Sequence, residues 1–258
     1  MNKREDSVVC GSELISLPDG VQKVAKLLQD KGHLHLPIML DDAARTAQQA
    51  ADALGVAVGQ IAKSIVFCRK PDDAAVLVVT SGDQRVDEGK LAAFVCSAGQ
   101  RLGRADAAFV KDKTGFSIGG VSPLAHVTPV VLVIDQSLFR FDQIWAAAGH
   151  PNAVFQLAPS ELEELTAAPV ADVAVGTQEE ATLQQIAINR GAARARNYWL
   201  NGQILSPCIS ICRINDASGL CDGCFRTRDE IANWAGADDA AKEATWARID
   251  QRLNALVA

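Results

Sequence analysis

Ile61-Ala62-Lys63-Ser64-Ile65-Val66-Phe67-Cys68 and Ala74-Ala75-Val76-Leu77-Val78-Val79-Thr80-Ser81 decide the fold. Both runs are rich in β-branched residues, and Lys70-Pro71-Asp72-Asp73 between them reads as a turn, so the pair is expected as two strands. The first run carries an anomaly. In Ile61-x-Lys63-x-Ile65-x-Phe67 the two-residue period puts an ammonium on the same face as three large apolar side chains. A charge there is costly unless it is paired or reaches water. Two roles fit: a strand-end lysine that snorkels to solvent, or a lysine lining a pocket and aimed at an anionic group such as a phosphate.

Upstream, Asp19 is expected to cap a helix through Val21, Val24, Leu27 and Leu28 that stops at Gly32. Leu34, Leu36, Ile38 and Leu40 alternate like a half-buried strand, with Pro37 pointing to a sheet edge. An Ala-rich helix over 45–54 ends at Gly55. Downstream, helices are expected over 87–96 and 105–113, the latter stopping at Gly115. Strands follow over 130–134, 144–148 and 153–157, and Ser160-x-x-Glu163 reads as the capping box of a closing helix. Without a regular βαβ rhythm this predicts an α/β domain with a mixed sheet, not a doubly wound one. Residues 1–17 read as a flexible tail, 18–170 as the main domain, and 171–203, with the capping box Thr177-x-x-Glu180, as a helical linker. Residues 204–258 form a small cysteine-rich module.

The composition, 48% hydrophobic and 22% charged, is that of an ordinary soluble globular protein, and no apolar run approaches a membrane span. The start lacks the apolar block of a signal peptide, so the expected compartment is the cytoplasm, with no membrane partner. A net charge of −6 argues against broad binding to a nucleic-acid backbone, though one RNA end can still be gripped locally. Residues 1–170 hold 16 Lys+Arg against 20 Asp+Glu, so the main domain is not itself basic. Arg101, Arg104, Lys111 and Lys113 form either a local basic patch or a solvated helix face.

Thr114-Gly115-Phe116-Ser117-Ile118-Gly119-Gly120-Val121-Ser122-Pro123 is the second notable stretch. Adjacent glycines allow unusual backbone angles and close approach, and Pro123 stiffens the exit, as in a tight turn or in a loop that offers backbone N–H groups to a ligand.

The strings QIAKSIVF, SGDQRVDEGKLA, TGFSIGGVSPLAH and VVLVIDQSL, in this order, resemble the YbaK/EbsC family of free-standing editing domains, related to the insertion domain of bacterial prolyl-tRNA synthetase. The resemblance spans about residues 18–170. It implies a sheet-rich α/β fold with a pocket for the 3′-terminal aminoacyl-adenosine. Lys63 matches the family's functional lysine, and Gly119-x-x-x-Pro123 its glycine loop, which brings Gly120, Val121 and Ser122 to the substrate. Ser64 stands where some relatives have Asn or Thr, and His150 resembles a histidine of the alanine-editing branch; as a loop histidine after Gly149 it has an ordinary reading too. The implied chemistry is ester hydrolysis without a cofactor. There is no G-x-S-x-G elbow, and the four histidines lack zinc-helix spacing. An aminoacyl ester is already activated, so positioning and carbonyl polarisation supply much of the rate.

Cys208-x3-Cys212-x8-Cys221-x2-Cys224 is a four-thiolate pattern suited to Zn or an Fe–S cluster. Thr227-x-x-Glu230 is expected to cap a helix presenting Ile231 and Trp234, and a last helix carries Trp246, Ile249 and Leu253. This segment is similar to the uncharacterised YdhL-like cysteine-rich family. The expected activity is deacylation of mischarged tRNA, with tRNA(Pro) carrying Cys, Ala or another small residue as the substrate. The expected partners are the tRNA acceptor end and a prolyl-tRNA synthetase. The competing readings are a non-catalytic aminoacyl-tRNA or nucleotide-end binding module whose metal-stabilised tail docks a partner, and a redox protein centred on the cysteines.

Overall fold

The structure, a computed structural model, describes residues 17–41, 46–175, 180–200, 202–209 and 213–257. The contacts divide the chain into one unit of residues 1–138 and 143–175 and another of 139–142 and 176–258.

In the first unit the two apolar runs form β2 (Ile61–Lys70) and β3 (Ala74–Ser81), antiparallel over their whole length. Around them the chain runs α1 (Asp19–Asp30), β1 (Ile38–Met39), α2 (Ala47–Leu54), α3 (Glu88–Val95), β4 (Arg101–Arg104) and α4 (Ala107–Thr114). It continues with β5 (Val131–Asp135), β6 (Ile144–Ala147), β7 (Ala153–Leu157), α5 (Pro159–Thr166) and β8 (Val170–Ala171). The eight strands make one sheet in the order β1-β7-β6-β2-β3-β5-β8, with β4 added beside β2. β2–β6, β3–β5 and β5–β8 are parallel and the other pairs antiparallel, so the sheet is mixed, as expected.

On one face of β2 and β3, Phe67, Val76 and Val78 pack with Leu91 of α3, Val133 of β5 and Val173. Farther along, Ile61 packs with Ala50 and Ala51 of α2 and with Trp145 of β6. Lys63 falls between these two apolar clusters. The helix α1 buries Val21, Val24, Ala25 and Leu28, the i, i+3, i+4, i+7 stripe of an amphipathic helix.

Several boundaries differ from the sequence reading. Pro18, not Asp19, is the N-cap of α1, and Asp19 stands in the first turn, where its charge suits the helix dipole. The strand expected over 34–40 shrinks to Ile38–Met39, with Leu34 left 89% exposed. His33 Nδ1 accepts from the His35 N–H at 3.2 Å, a local turn that competes with strand pairing, and Pro37 has no N–H to give a ladder. Arg101 and Arg104 lie on a strand paired with residues 67–70, not on a helix face. Glu161, not Glu163, completes the cap of α5 by accepting the Ala158 N–H at 2.6 Å, because Pro159 opens the helix two residues early.

The second unit contains α6 (Glu180–Arg196), the hairpin β9 (Trp199–Leu200) and β10 (Gln203–Ile204), α7 (Arg228–Asn233) and α8 (Asp239–Val257). Thr177 of the expected linker cap lies outside the described residues. Ala187, Ile204, Ile209, Phe225, Trp246, Ile249 and Leu253 form the core, so the apolar face read into the last helix is the buried one. Trp246 donates its indole N–H to the Leu205 carbonyl at 2.9 Å and stacks on Tyr198. Thr227 and Glu230 form the expected capping box of α7, but Ile231 is exposed and only Trp234 packs inward. Burial would raise the Glu230 pKa, yet hydrogen bonds from Arg252, the Thr227 N–H and Arg248 outweigh it and hold the carboxyl at about 2. That network ties α7 to α8.

Candidate active site

Strand β2 is paired with β6 only at Ile61 and Ala62 and with β4 only at residues 67–70. Among the described residues no strand pairs with 63–66 on that edge. A pocket of about 290 Å³ opens beside the gap. Lys63 and Ser64 line it from β2, Ala47 and Ala50 from α2, Trp145 from β6, and Ile118, Gly119 and Val121 from the glycine loop.

Lys63 is the third residue of the ten-residue β2, which lies inside the sheet between β6 and β3, and it is half-buried. Its ammonium donates to the Gly82 carbonyl at 3.2 Å and to the Gln84 carbonyl, both in the loop after β3. Burial lowers its pKa from the ordinary lysine value; Asp83 pulls it back up and Arg85 pushes it down. Two neutral acceptors thus hold the cation without cancelling its charge. Ser64 Oγ is buried without a hydrogen-bond partner, an unsatisfied polar atom at the pocket wall.

The glycine loop has the geometry its residues allow. Gly119 sits at φ +93°, a backbone region that L side chains rarely adopt. Gly120 lies so close to the 150–151 turn that an added Cβ would stand 2.6 Å from the His150 carbonyl carbon. Only a glycine permits that approach. At the foot of the loop Thr114 donates to the Val110 carbonyl at 2.7 Å and accepts from the Phe116 N–H at 3.1 Å. His126, whose pKa burial lowers, contacts the Ser122 carbonyl through Nε2 at 2.8 Å.

Of the residues singled out in sequence, Lys63, Ser64, Gly119 and Val121 are brought to one pocket. Gly120, Ser122 and Pro123 are buried and do not line it. Ser122 uses its hydroxyl to accept from the Leu124 N–H at 3.1 Å. His150 stands beside the lining residue Pro151, and its Nδ1 accepts from the Asn152 N–H at 3.2 Å. Trp145 and the alanines of α2 were not legible as site residues, because an apolar side chain at a pocket wall reads in sequence like one in the core. The carbonyl groups of residues 82 and 84 have no side-chain signature at all.

In the second unit Cys221 and Cys224 are buried on one turn. The Phe225 N–H donates to the Cys221 carbonyl and the Cys221 N–H to the Arg226 carbonyl, each at 2.8 Å, with Phe225 at φ +56°. Cys208 is exposed, and Cys212 lies outside the described residues. Among the described residues no three His, Cys, Asp or Glu side chains are grouped to hold a metal ion, so the expected four-cysteine centre is not shown. No helix among them is long and apolar enough to cross a membrane.

Residues 41–165 match the family model described as the aminoacyl-tRNA editing domain, and residues 206–253 match that of a protein of unknown function, DUF1289. The uncharacterized protein YwhH of Bacillus subtilis (strain 168) is 37% identical over 123 residues, 47% of this chain and 74% of that protein. The uncharacterized protein YdhL of Escherichia coli (strain K12) is 44% identical over 50 residues, 19% of this chain, and the match spans only 62% of YdhL. A crystal structure described as that of "a putative trans-editing enzyme for prolyl tRNA synthetase" superposes with a TM-score of 0.58 at 40% identity, covering 62% of this chain and 100% of that one. The chain belongs to the aminoacyl-tRNA editing domain family and carries a DUF1289 domain like that of YdhL behind it.

Proposed function

We propose that this chain is an aminoacyl-tRNA deacylase that clears mischarged tRNA in the cytoplasm, with Ala or Cys on tRNA(Pro) as the first substrates to test. One observation carries the reading: a half-buried cation, Lys63, an unsatisfied hydroxyl, Ser64, and a glycine loop line one pocket. The ammonium suits the phosphate next to the terminal adenosine, and Ser64 Oγ suits a polar group of the aminoacyl ribose. Backbone around Gly119 orients the ester carbonyl. A water oxygen then bonds to the carbonyl carbon, the bond to the ribose oxygen breaks, and the water proton ends on that oxygen. Alanine-lined walls and the modest volume of about 290 Å³ favour a small aminoacyl group.

The test is hydrolysis of Ala-, Cys- and Ser-tRNA(Pro) beside Pro-tRNA(Pro). Cleavage of a mischarged species with Pro-tRNA(Pro) spared is the expected result. If every ester survives, with or without a prolyl-tRNA synthetase added, while the acceptor end still binds, the site is a binding module. With 31 acidic against 25 basic side chains, the chain is expected to hold free tRNA weakly and to gain from a synthetase partner.

For the second unit we propose a structural metal or cluster held by Cys208, Cys212, Cys221 and Cys224, which would cross-link a module with a small core. Two of the four thiols are placed for it: Cys221 and Cys224 share one turn with a left-handed residue directly after it. Purified protein is expected to carry about one equivalent of zinc, or an iron–sulfur absorbance, and Cys224→Ser to lose it together with several degrees of the second unit's melting temperature. Metal-free protein whose melting is the same in Cys224→Ser would sink this assignment.

A further inference from the structure

Thr80, the penultimate residue of β3, is fully buried, and its hydroxyl has no hydrogen-bond partner. It ends the apolar run Ala74–Val79, where a valine would fill the same volume without burying an unsatisfied oxygen. A cost of that kind in a strand core calls for a function.

Its position supplies one. The β2–β3 register places Thr80 directly opposite Lys63, so both side chains leave the same face, with Cβ atoms roughly 4.5–5.5 Å apart. On one side of the pair along that face come Ile65, Phe67, Val76 and Val78, all apolar. Gly82 and Gln84, whose carbonyl groups take two of the three ammonium donors, lie two and four residues past Thr80. The lysine therefore reaches its acceptors by leaning across the end of β3.

We propose that Thr80 Oγ1 is the acceptor to which the Lys63 ammonium turns when it leaves the 82 and 84 carbonyl groups to engage a substrate anion. A half-buried cation needs a hydrogen-bond acceptor in each position it occupies; of the other lining hydroxyls, Thr46 already accepts from the Gln49 N–H as the cap of α2, and Ser64, next to Lys63 on β2, leaves the opposite face. A hydroxyl accepts without neutralising the charge, which stays available to the substrate; a carboxylate in its place would compete with it. The charged groups that face the pair are Asp83, Arg85 and Asp135. Asp83 attracts the ammonium from the loop that carries the 82 and 84 carbonyl groups, the position the lysine leaves, Arg85 repels it, and Asp135 on β5 accepts from the Ser137 and Val173 N–H groups. With no exposed surface Thr80 does not meet substrate, so it is a positioning residue acting through Lys63.

This rests on the editing reading for its kinetic arm only. The experiment compares Thr80→Val and Thr80→Ser with wild type in the full chain. It measures thermal melting, kcat and KM on the mischarged tRNA, the pH profile of kcat, and the Lys63 titration by NMR of lysine-labelled protein, free and with adenosine 5′-monophosphate bound as the anionic probe. Thr80→Val is expected to melt at or above wild type, since it removes a buried unsatisfied oxygen. It is expected to lose tenfold or more in kcat, on the order of one hydrogen bond to a charged group, with KM changed less. Its Lys63 titration with the anion bound and the alkaline limb of its kcat profile should both move to lower pH, while Thr80→Ser stays within about threefold of wild type. A Thr80→Val protein with wild-type kcat and Lys63 titration overturns the proposal. So does one that melts lower and is restored by serine, because the hydroxyl is then structural. If wild type turns over no aminoacyl-tRNA, the editing reading fails by itself, and the Lys63 titration with adenosine 5′-monophosphate bound still decides: a lower midpoint in Thr80→Val supports the role of Thr80, and an equal one ends it.

Discussion

Lys63→Ala is expected to lower kcat for deacylation by about 10²–10³-fold, the range seen when one preorganised charge-stabilising donor is removed from an active site. The side chain sits at a gap in the sheet, half-buried, with its ammonium held by the carbonyl groups of residues 82 and 84. Removing it leaves those acceptors close to a pocket that water can enter, so folding should survive, with a change within about 1 kcal/mol. The pH dependence separates this role from a packing role. Burial lowers the Lys63 pKa, so between the folded value and the ordinary lysine value of 10.5 the unfolded chain binds more protons than the folded one. Stability contributed through this group therefore rises with pH across that window. Activity moves the other way, because the cation that holds the anionic substrate is lost as pH climbs through the lowered pKa. Wild type minus Lys63→Ala should show a stability difference that grows in favour of wild type while its activity advantage disappears. Lys63→Arg keeps a charge that does not titrate, and should flatten the alkaline loss in whatever activity remains. An alanine variant with wild-type turnover would remove Lys63 from the mechanism.

The lysine was visible in sequence because it broke a rule. One cation in the alternation of Ile61, Ile65 and Phe67 is costly in any half-buried strand, and the structure shows how the cost is met, by backbone carbonyl groups that sequence periodicity does not report. The elements with strong local signals came out close to expectation: β2 and β3 from their β-branched runs, α2 from its alanines and the left-handed Gly55 stop, α7 from Thr227 and Glu230. Strand β4 carried no such signal. Arg101-Leu102-Gly103-Arg104 has one apolar residue, and only pairing with residues 67–70 makes it a strand. The expected strand over 34–40 failed for the opposite reason: its alternation was real, but Pro37 and the His33–His35 contacts removed the backbone from pairing. Thr80 carries no signal in the sequence, because a threonine after six apolar residues reads as a β-branched filler. Its orphaned hydroxyl and its position opposite Lys63 exist only once the register is known.

Gly120→Ala is expected to destabilise the first unit by roughly 2–4 kcal/mol and to cost at least about 10²-fold in kcat/KM. An alanine Cβ would lie 2.6 Å from the carbonyl carbon of His150 and 2.8 Å from its Cα and from the Pro151 nitrogen, all backbone atoms with no rotamer to yield. The opposing turn is anchored on every side. The Ala148 N–H donates to the Ala153 carbonyl at 2.8 Å, the Ala153 N–H to the His150 carbonyl at 3.0 Å, and the Leu40 N–H to the Asn152 carbonyl at 2.6 Å. Gly149, at φ +88°, would itself meet Gly20 and Phe116 if it carried a Cβ. The glycine loop must therefore move instead, and Ile118, Gly119 and Val121 move with it away from Lys63. Gly119→Ala is the informative contrast. It places a residue at φ +93° but meets only the Pro151 ring, at 3.9 Å, so its cost is that of one strained backbone residue, about 1–2 kcal/mol. Melting curves and deacylation rates of the two variants together separate steric displacement from backbone strain. Equal, small effects would mean that the loop and the 150–151 turn do not approach as closely as the geometry shows, and that the pocket's second wall is not fixed by Gly120.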